Sequence, residues 1–461
     1  CCTNDEDLAV LVFLLMFEVV VSAFPESSSA PRELPADAAG RAPRPPLEGS
    51  LAATAGAPVF APASIAAIIF VVGAVQFVNI LDFMMVMPLG PDFAVALGIP
   101  TSHLGLIGGS YTAAGCIAGL VGLLFLDRFP RRSALVVAMA GLAIGTLAGG
   151  FATDLPTLIA ARVVAGLFGG PATSIAVSII TDVVPPAKRG QAMGQVMGAF
   201  SAASVLGVPL GLELAARAGW RSPFFVVAGL GVIITVVARV ALPVLDGHLR
   251  VAGGPAPRLT RARLRQLVTR REVVLAMLLV ASVNFSSFLF IPNISALLQL
   301  NLGYPREHLG LLYLCGGACS FFTMRAAGRL VDRAGSTTLI AVGVLAFSAI
   351  VVVGVVQHPA TPVLAVFICF MIFQSTRNVA SQTLTSKVPA ADERAGFQSI
   401  NSAIQHGAGA CGAVLSSTLL DDTSGRLDGM PTVAAVAIGA ALVSVPVARA
   451  LEAGVRRLGA K

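Results

Sequence analysis

The chain has 461 residues, of which 56% are hydrophobic and only 12% are charged, and its mean hydropathy is +0.84. Soluble domains carry about 25% charged residues, so this composition is typical of a protein with many membrane spans. Apolar stretches of about 20 residues recur along the chain, which is the length that a helix needs to cross a bilayer. A transmembrane barrel is excluded, because its strands would alternate and run for only about 10 residues.

The first sixty residues differ from the rest. Residues 8–24 are apolar but short, contain Glu18 and follow an acidic segment, which is a weak pattern for a signal peptide. Residues 25–63 are rich in Pro, Ala and Ser, as in flexible linkers. We therefore expect residues 1–60 to be an N-terminal extension that is disordered or wrongly included in the reading frame.

From residue 61 onward the apolar pattern predicts an all-α membrane protein with twelve transmembrane helices in two pseudo-symmetric six-helix bundles. The predicted helices lie near 64–90, 104–126, 134–152, 157–181, 190–215, 221–243, 272–298, 307–331, 337–356, 361–386, 395–420 and 431–451. The predicted domains are an N-terminal bundle, a basic cytoplasmic linker, a C-terminal bundle and a cytoplasmic tail, at 61–243, 244–271, 272–452 and 453–461.

The net charge of +7 is distributed unevenly over the loops. Lys and Arg are concentrated in alternate loops and in the C-terminal tail, and the intervening loops hold only a few: Arg217, Arg221, Arg306 and Arg426. The positive-inside rule then places both termini in the cytoplasm of an inner or plasma membrane. The basic excess is therefore explained by topology, and a nucleic-acid partner is not expected.

Three short segments match segments that lie 205 residues further along the chain. The pairs are "VNILDF" with "VNFSSF" (78–83 and 283–288), "HLGL" with "HLGL" (103–106 and 308–311), and "DR" with "DR" (127–128 and 332–333). A common offset indicates a duplicated six-helix bundle, whose two halves could rock about a central cavity in alternating access. "TRNVAS" at 376–381 also resembles "ARVVAG" at 161–166, but its offset is 215 and we do not count it as part of the repeat.

The loop "LLFLDRFPRRSAL" between the second and third predicted helices resembles the signature loop of the major facilitator superfamily. That signature reads Gly-x-x-x-Asp-Arg-x-Gly-Arg-Arg, and here Leu123 and Pro130 replace its two glycines. The resemblance implies a conformational latch between the halves, although the basic residues could also serve topology alone. The matching positions in the two halves are Asp127, Arg128, Arg131, Arg132, Gly328, Asp332 and Arg333.

Further segments extend the resemblance over residues 64–450. "ARVVAGLFGG" is similar to the superfamily's Arg-x-x-x-Gly pattern in the fourth helix, and "DFMMVMPLGPDFA" resembles its sugar- and drug-efflux branch, the arabinose-efflux-permease-like transporters. "GAFSAASVLGVPLG" resembles the Gly-Pro-rich fifth helix of antiporters through Gly207, Pro209 and Gly211, though Val208 interrupts the pattern. An enzyme is not expected, because no nucleophile–base pair, metal cluster or phosphate-cradling loop appears. We expect a transporter that works without a cofactor and as a monomer.

Asp82 lies inside the first apolar stretch, where an ionisable residue is costly and is a functional candidate by default. Gln76 and Asn79 precede it at intervals of three, so all three can face one cavity. Arg162 lies at a similar predicted depth on the fourth helix, and we expect it to face Asp82. The pair could exchange a proton, because burial favours the protonated acid and a nearby Arg the ionised one. The alternative is a permanent ion pair that joins two helices.

Polar side chains in the C-terminal half follow helical spacing and predict a wet cavity, although part of this pattern could be hydrogen bonding between helices. The residues predicted to contact substrate are Gln76, Asn79, Tyr111, Gln374, Arg377, Asn378, Asn401 and Gln405. No metal cluster is expected, since the cysteines lack accompanying His or acidic residues.

The sequence therefore predicts a secondary active transporter in the lipid bilayer. Its partners would be protons and a small organic solute, with proton-coupled efflux as the favoured direction. Two alternatives remain at this stage. One is an inward facilitator or proton symporter of the same fold, and the other is a receptor or scaffold that does not transport.

Overall fold

The computed structural model describes residues 62–185, 188–246, 249, 269–356, 362–389, 394–423 and 426–459. The predicted extension at 1–60 and most of the predicted linker lie outside the described residues. So do the side chains of some residues within helices, among them Asp127 and Asp332.

Twelve long helical segments, α1 to α12, occupy the predicted positions in the described part of the chain. Their bounds are Pro62–Val86, Leu104–Phe125, Arg131–Gly150, Leu155–Val183, Arg189–Ala202 continued through Ala203–Gly207 and Val208–Ala218, Ser222–Ala241, Arg271–Phe288, Leu309–Ala334, Ser336–Val351, Val363–Thr385, Arg394–Leu419 and Met430–Gly459. A short helix, Gly90–Leu97, follows α1. After α7, short helical turns continue the chain from Ile291 to Asn301, and a turn of π-helix, Val352–Val356, extends α9.

Ten of these segments are long and apolar enough to cross a membrane. The two that do not meet this description are α5 and α11. In α5, a π-helical turn at Ala203–Gly207 precedes Pro209, whose ring lacks an N–H and clashes with the preceding helical turn. α11 carries the predicted stripe of polar side chains, which lowers its hydropathy. The irregular backbone of α5 and the polar side chains of α11 are therefore better accommodated against protein than against lipid.

The structure differs from the predicted pattern in two local features. A small antiparallel hairpin pairs Asp421–Thr423 with Arg426–Asp428 between α11 and α12, in a fold that is otherwise helical. In addition, α12 runs to Gly459 and so contains most of the residues predicted as a tail.

The two halves meet mainly through α2 against α11 and through α5 against α8. Glycines permit this close approach: a Cβ on Gly105 of α2 would lie 2.2 Å from the carbonyl oxygen of Ala413 on α11. Likewise, a Cβ on Gly317 of α8 would lie 2.9 Å from the carbonyl oxygen of Ser204 in the π-helical turn. Small residues at such contacts are the usual means by which helices associate within lipid.

Phe83 of α1 and Phe288 of α7 locate the axis that relates the two halves. These residues are 205 positions apart in the sequence, and their ring centroids lie 5.9 Å apart. Two residues related by a twofold axis can touch only near that axis. Their sequence neighbours, Asp82 and Ser287, are therefore also close to the centre of the molecule.

Candidate transport site

Asp82 and Arg162 form a fully buried ion pair between α1 and α4. The Asp82 side chain is 0% exposed and that of Arg162 is 1% exposed. The guanidinium donates through Nη1 to Oδ1 at 3.0 Å and through Nη2 to Oδ2 at 2.8 Å. Paired parallel bonds of this kind are the strongest contacts that Arg makes with a carboxylate. The structure thus brings together the two residues that the sequence predicted to face each other.

The position of Arg162 follows from where α4 begins. Asp154 caps this helix and accepts a hydrogen bond from the Thr157 backbone N–H at 2.8 Å, while the Thr157 hydroxyl accepts from the Asp154 N–H at 3.1 Å. Donation by the backbone and side chain of Thr157 lowers the pKa of Asp154 from its usual range. Arg162 lies eight positions after Asp154, inside the bundle.

Thr146 of α3 is a third member of the site that the sequence analysis missed. Its hydroxyl lies 2.6 Å from Asp82 Oδ1 and 2.8 Å from the carbonyl oxygen of Leu142 in its own helix. A Thr hydroxyl within an apolar helix ordinarily bonds to its own backbone, so nothing in the sequence distinguished this one. The Asp82 carboxylate therefore accepts bonds from both α3 and α4.

Tyr111 and Asn79 continue the network toward the middle of α4. The Arg162 guanidinium carbon lies 4.8 Å from the centre of the Tyr111 ring, and the Tyr111 hydroxyl donates to Asn79 Oδ1 at 2.9 Å. The Asn79 amide donates in turn to the Gly169 carbonyl oxygen at 2.7 Å and to the Thr173 hydroxyl at 2.9 Å. Asn79 and Tyr111 thus belong to one hydrogen-bonded cluster with the ion pair.

Gln76 is buried on the same face of α1, and its Oε1 has no hydrogen-bond partner. A buried carbonyl oxygen without a donor costs free energy unless a water or a ligand supplies one. Among the residues predicted to contact substrate, Gln76 thus has an oxygen, Oε1, that is free to accept a hydrogen bond in the described structure.

In the C-terminal half, Arg377 of α10 is buried at 0% exposure. Its Nη2 donates to Ser287 Oγ at 2.9 Å and to Gln374 Oε1 at 2.5 Å, and the Gln374 amide nitrogen also donates to Ser287 Oγ at 2.5 Å. Arg377 lies over the ring of Phe347, 4.2 Å from its centre. The structure therefore joins two of the predicted contact residues, Gln374 and Arg377, through a serine of α7.

This arrangement corrects the treatment of "TRNVAS" in the sequence analysis. Arg162 on α4 bonds to residue 82 on α1, and Arg377 on α10 bonds to residue 287 on α7. The helices correspond, and residues 82 and 287 are related by the offset of 205. Arg377 is therefore the counterpart of Arg162 by its contact, and its offset of 215 means that ten more residues separate it from the repeated "DR" than separate Arg162.

Two polar contacts join the halves at the predicted outer end. Arg306, before α8, bonds to both carboxylate oxygens of Asp92 at 2.9–3.2 Å. Asp422 of the hairpin accepts from the backbone N–H and the hydroxyl of Thr101 at 3.0 Å and 2.9 Å. The outer ends of the two halves are therefore in contact in this conformation.

Residues 72–413 and 276–455 match the family model of the Major Facilitator Superfamily. The chain belongs to the Major Facilitator Superfamily. This membership, with ten described helices apolar enough to span a bilayer, makes it an integral membrane protein of a transporter family rather than an enzyme.

Several curated relatives within the superfamily are similar to this chain. A chloramphenicol resistance protein of Streptomyces lividans is 30% identical over 57% of this chain and 66% of its own length. The inner membrane transport protein YdhP of Escherichia coli (strain K12) is 26% identical over 55% and 63%, respectively. A chloramphenicol efflux pump of Mycobacterium tuberculosis (strain ATCC 25618 / H37Rv) is 25% identical over 34% and 39%. The matches thus cover less than two thirds of the relatives' length.

Solved structures of the superfamily share the fold over most of this chain. A D-xylose-proton symporter has a TM-score of 0.68 at 17% identity, and the match covers 82% of this chain and 97% of the symporter. A bacterial homologue of the human lysosomal transporter Spinster, in an inward-facing and unoccupied conformation, has a TM-score of 0.64 at 15% identity, with coverage of 86% and 98%. At these identities the likeness concerns the fold alone.

The superfamily's signature loop lies between α2 and α3, at the predicted inner end of the first half. Arg131 forms an ion pair with Asp182 of α4 at 3.2 Å, and Arg132 donates to the carbonyl oxygen of Leu242 at the end of α6 at 3.2 Å. Arg128 is exposed. Arg131 and Arg132 therefore tie helix ends of one half together, and Asp182 is a partner that the sequence analysis did not single out.

In the second half of the superfamily repeat, Arg333 is exposed and Gly328 has open space where a Cβ would lie. The side chains of Asp127 and Asp332 lie outside the described part of the structure, so a latch through them stays a prediction.

The remaining predicted residues are placed as follows. Asn378 is exposed and does not join the buried cluster around Arg377. Asn401 is buried at 1% exposure with its Oδ1 unpartnered, and Gln405 is half-buried.

On α5, two of the three predicted packing residues, Gly207 and Gly211, lie against α1. A Cβ on Gly207 would meet Leu81 Cδ1 at 2.5 Å, whereas one on Gly211 would make an ordinary contact of 3.8 Å with Met85. Gly207, two residues before Pro209, therefore permits α5 to approach α1, the helix that carries Asp82.

Proposed function

We propose that this chain exports a small organic solute across the cytoplasmic membrane in exchange for protons, by alternating access. The observation that carries the proposal is the buried, bidentate pair of Asp82 and Arg162 beside the axis between the halves. An ionisable group so placed can bias the relative motion of the two halves, because its charge depends on proton supply from one side of the membrane at a time.

The proposed cycle uses two arrangements of the pair. In the first arrangement, seen in this structure, Arg162 donates to both oxygens of the Asp82 carboxylate and Thr146 donates to one of them. Movement of α4 relative to α1, or entry of the solute, would withdraw the guanidinium. An unpaired carboxylate is unfavourable in a buried site, and Asp82 would then take up a proton. Proton uptake from the outer side and release to the inner side would complete the exchange.

The names of the relatives supply the first solute to test, since two of those described above are named for chloramphenicol. Purified protein would be placed in proteoliposomes with an imposed pH gradient, and the accumulation of chloramphenicol measured. Antiport predicts accumulation when the interior is more acidic than the medium. Accumulation with the opposite gradient would indicate symport, and none with either gradient would contradict proton coupling for this solute.

Asp82→Asn tests the assignment of the acid. We expect gradient-driven accumulation to fall to background, while exchange of labelled for unlabelled solute without a gradient is retained. Retained exchange shows that the variant is folded, which matters because removing one partner of a buried pair costs about 3–5 kcal/mol. Asp154→Asn is the matched control, since Asn also caps helices and this position lies outside the pair. Gradient-driven transport by Asp82→Asn would overturn the role of Asp82.

A further inference from the structure

Arg377 is a buried arginine that has no carboxylate partner among the described residues. Its Nη2 is bonded to Ser287 and Gln374, but Nε and Nη1 have no acceptor. Nε carries one N–H and Nη1 carries two, so more than half of the five N–H groups of this guanidinium are unsatisfied. In the part of the chain that the structure describes, no carboxylate accepts a bond from it.

Arg162 provides an internal reference for this observation. It is equally buried, and its Nε also lacks an acceptor. Its Nη1, however, donates to Asp82, whereas the Nη1 of Arg377 donates to nothing. The difference between the two sites is therefore one negative charge and the acceptor for Nη1.

The neutral groups around Arg377 do not replace that charge. Ser287 Oγ and Gln374 Oε1 are uncharged acceptors that share a single nitrogen. The Phe347 ring at 4.2 Å offers a cation–π contact of about 0.5–2 kcal/mol, which is less than the several kcal/mol that burying an unpaired ion costs. The site is thus complementary to an anion that the described residues do not supply.

We propose that Arg377, Ser287 and Gln374 form an anion site that accepts one compact monovalent anion, either a carboxylate group of the transported solute or a free halide. A guanidinium is well matched to a carboxylate, and the Ser287 position is where the first half places its own acid. The identity of the solute in this inference rests on the proposed function, whereas the site itself rests on the geometry of α7 and α10.

Gln374 gives the ligand a way to reach the guanidinium. It is half-buried, and it bonds to both Arg377 and Ser287. Asn378, one turn along on the same helix face, is exposed. Rotation of the Gln374 amide would release Nη2, so an anion could approach along this polar face without opening the packed core.

Anion binding can be measured on the purified full chain in detergent by its effect on Tm. The probes are sodium benzoate, as a carboxylate, and sodium chloride, as a halide. A ligand that binds only the folded protein raises Tm progressively with its concentration. We expect wild type to show this rise with at least one of the two salts.

Ser287→Asp is the matched variant, because it supplies an internal carboxylate while leaving Arg377 in place. We expect this variant to have a higher Tm than wild type when no anion is added. The anion concentration needed for a given rise in Tm should be roughly tenfold to a hundredfold higher than for wild type, as for the loss of hydrogen bonds to a charged group. Ionic strength affects both proteins alike, so the difference between them isolates the site. Arg377→Gln should abolish the response, and either variant suffices if the other does not fold.

The outcomes separate the source of the anion. A response to benzoate alone assigns the site to the carboxylate of an organic solute, and a response to chloride assigns it to a free halide. No response in wild type, or an equal response in wild type and Ser287→Asp, overturns the proposal. The measurement does not involve transport, so failure of the proton-exchange test on Asp82 would leave this result unaffected, and the reverse also holds.

Discussion

The two halves of the molecule keep a buried arginine at the same place but satisfy it in different ways. In the first half Arg162 meets the carboxylate of Asp82, and in the second half Arg377 meets the hydroxyl of Ser287 and the amide of Gln374. The guanidinium is thus common to both six-helix units, whereas the acid is present in one. We conclude that the arginine belongs to the shared architecture and that the carboxylate is the specialised part.

The surroundings of the two arginines differ in the same direction. The positions 205 residues after Tyr111 and Thr146 are Gly316 and Val351, which cannot form the hydrogen bonds that their counterparts form. The aromatic ring beside Arg162 comes from α2 and carries a hydroxyl, whereas the ring beside Arg377 is Phe347 of α9. The first half therefore surrounds its arginine with a connected polar network, and the second half leaves polar capacity open.

The largest effect is expected from moving the acid between the halves with the double variant Asp82→Ser/Ser287→Asp. Its gradient-driven transport should fall at least tenfold, because an acid at position 287 has no neighbour equivalent to Thr146 or Tyr111. Proteoliposome accumulation under a pH gradient measures this. One arginine remains paired in the double variant, so it should lose less stability than the about 3–5 kcal/mol expected for Asp82→Ser alone. Full transport by the double variant would show that the two sites are interchangeable.

A smaller effect is expected from disturbing only the polar network of the first half. In Gly169→Ala, the new Cβ would lie 2.3 Å from the Tyr111 hydroxyl and 3.0 Å from Asn79 Oδ1. Overpacking of this kind costs about 1–3 kcal/mol, which thermal or denaturant unfolding would detect. Gly73→Ala is the control on α1, since a Cβ there meets nothing within 4 Å. Equal stability of the two variants would mean that the contact between α4 and Tyr111 relaxes freely.

The sequence predicted much of this arrangement because membrane helices have simple signals. Length and hydropathy located the helices, and the offset of 205 revealed the duplication. Asp82 and Arg162 were found as a pair because charges within apolar spans are rare and similar depth can be counted along two helices. That α2 contacts α11 and α5 contacts α8 was not predictable, since the small residues at these contacts occur throughout the chain.

Other parts of the site could not be predicted for physical reasons. Thr146 is one of several hydroxyl residues in apolar helices, and only the packing of α3 against α1 selects it. Arg377 was recognised as polar but not as the counterpart of Arg162, because its offset of 215 differs from the 205 of the other matches. The π-helical turn in α5 precedes Pro209 and packs against α8, and of these two features the sequence shows only the proline.

The smallest effect concerns the ion pair that joins the halves at the outer end. The side chains of Arg306 and Asp92 are each about a quarter exposed. Arg306→Ala should therefore weaken the contact between the outer ends by about 1 kcal/mol, which favours their separation about fivefold. Ser417→Cys is a suitable reporter, since Ser417 is 8% exposed and lies where α11 meets Gly105. Its labelling by a membrane-impermeant maleimide, corrected for the same proteins without the reporter, should accelerate accordingly.

Two further variants decide whether any acceleration comes from the contact between the halves. The charge exchange Asp92→Arg/Arg306→Asp should restore slow labelling, because it re-forms the pair in reverse. Arg217→Ala removes an exposed pair with Glu213 inside one half and should leave the rate unchanged. If Arg306→Ala labels no faster than Arg217→Ala, the outer ends are held by the packing of α2 on α11, and the two halves are joined by small residues rather than by charge.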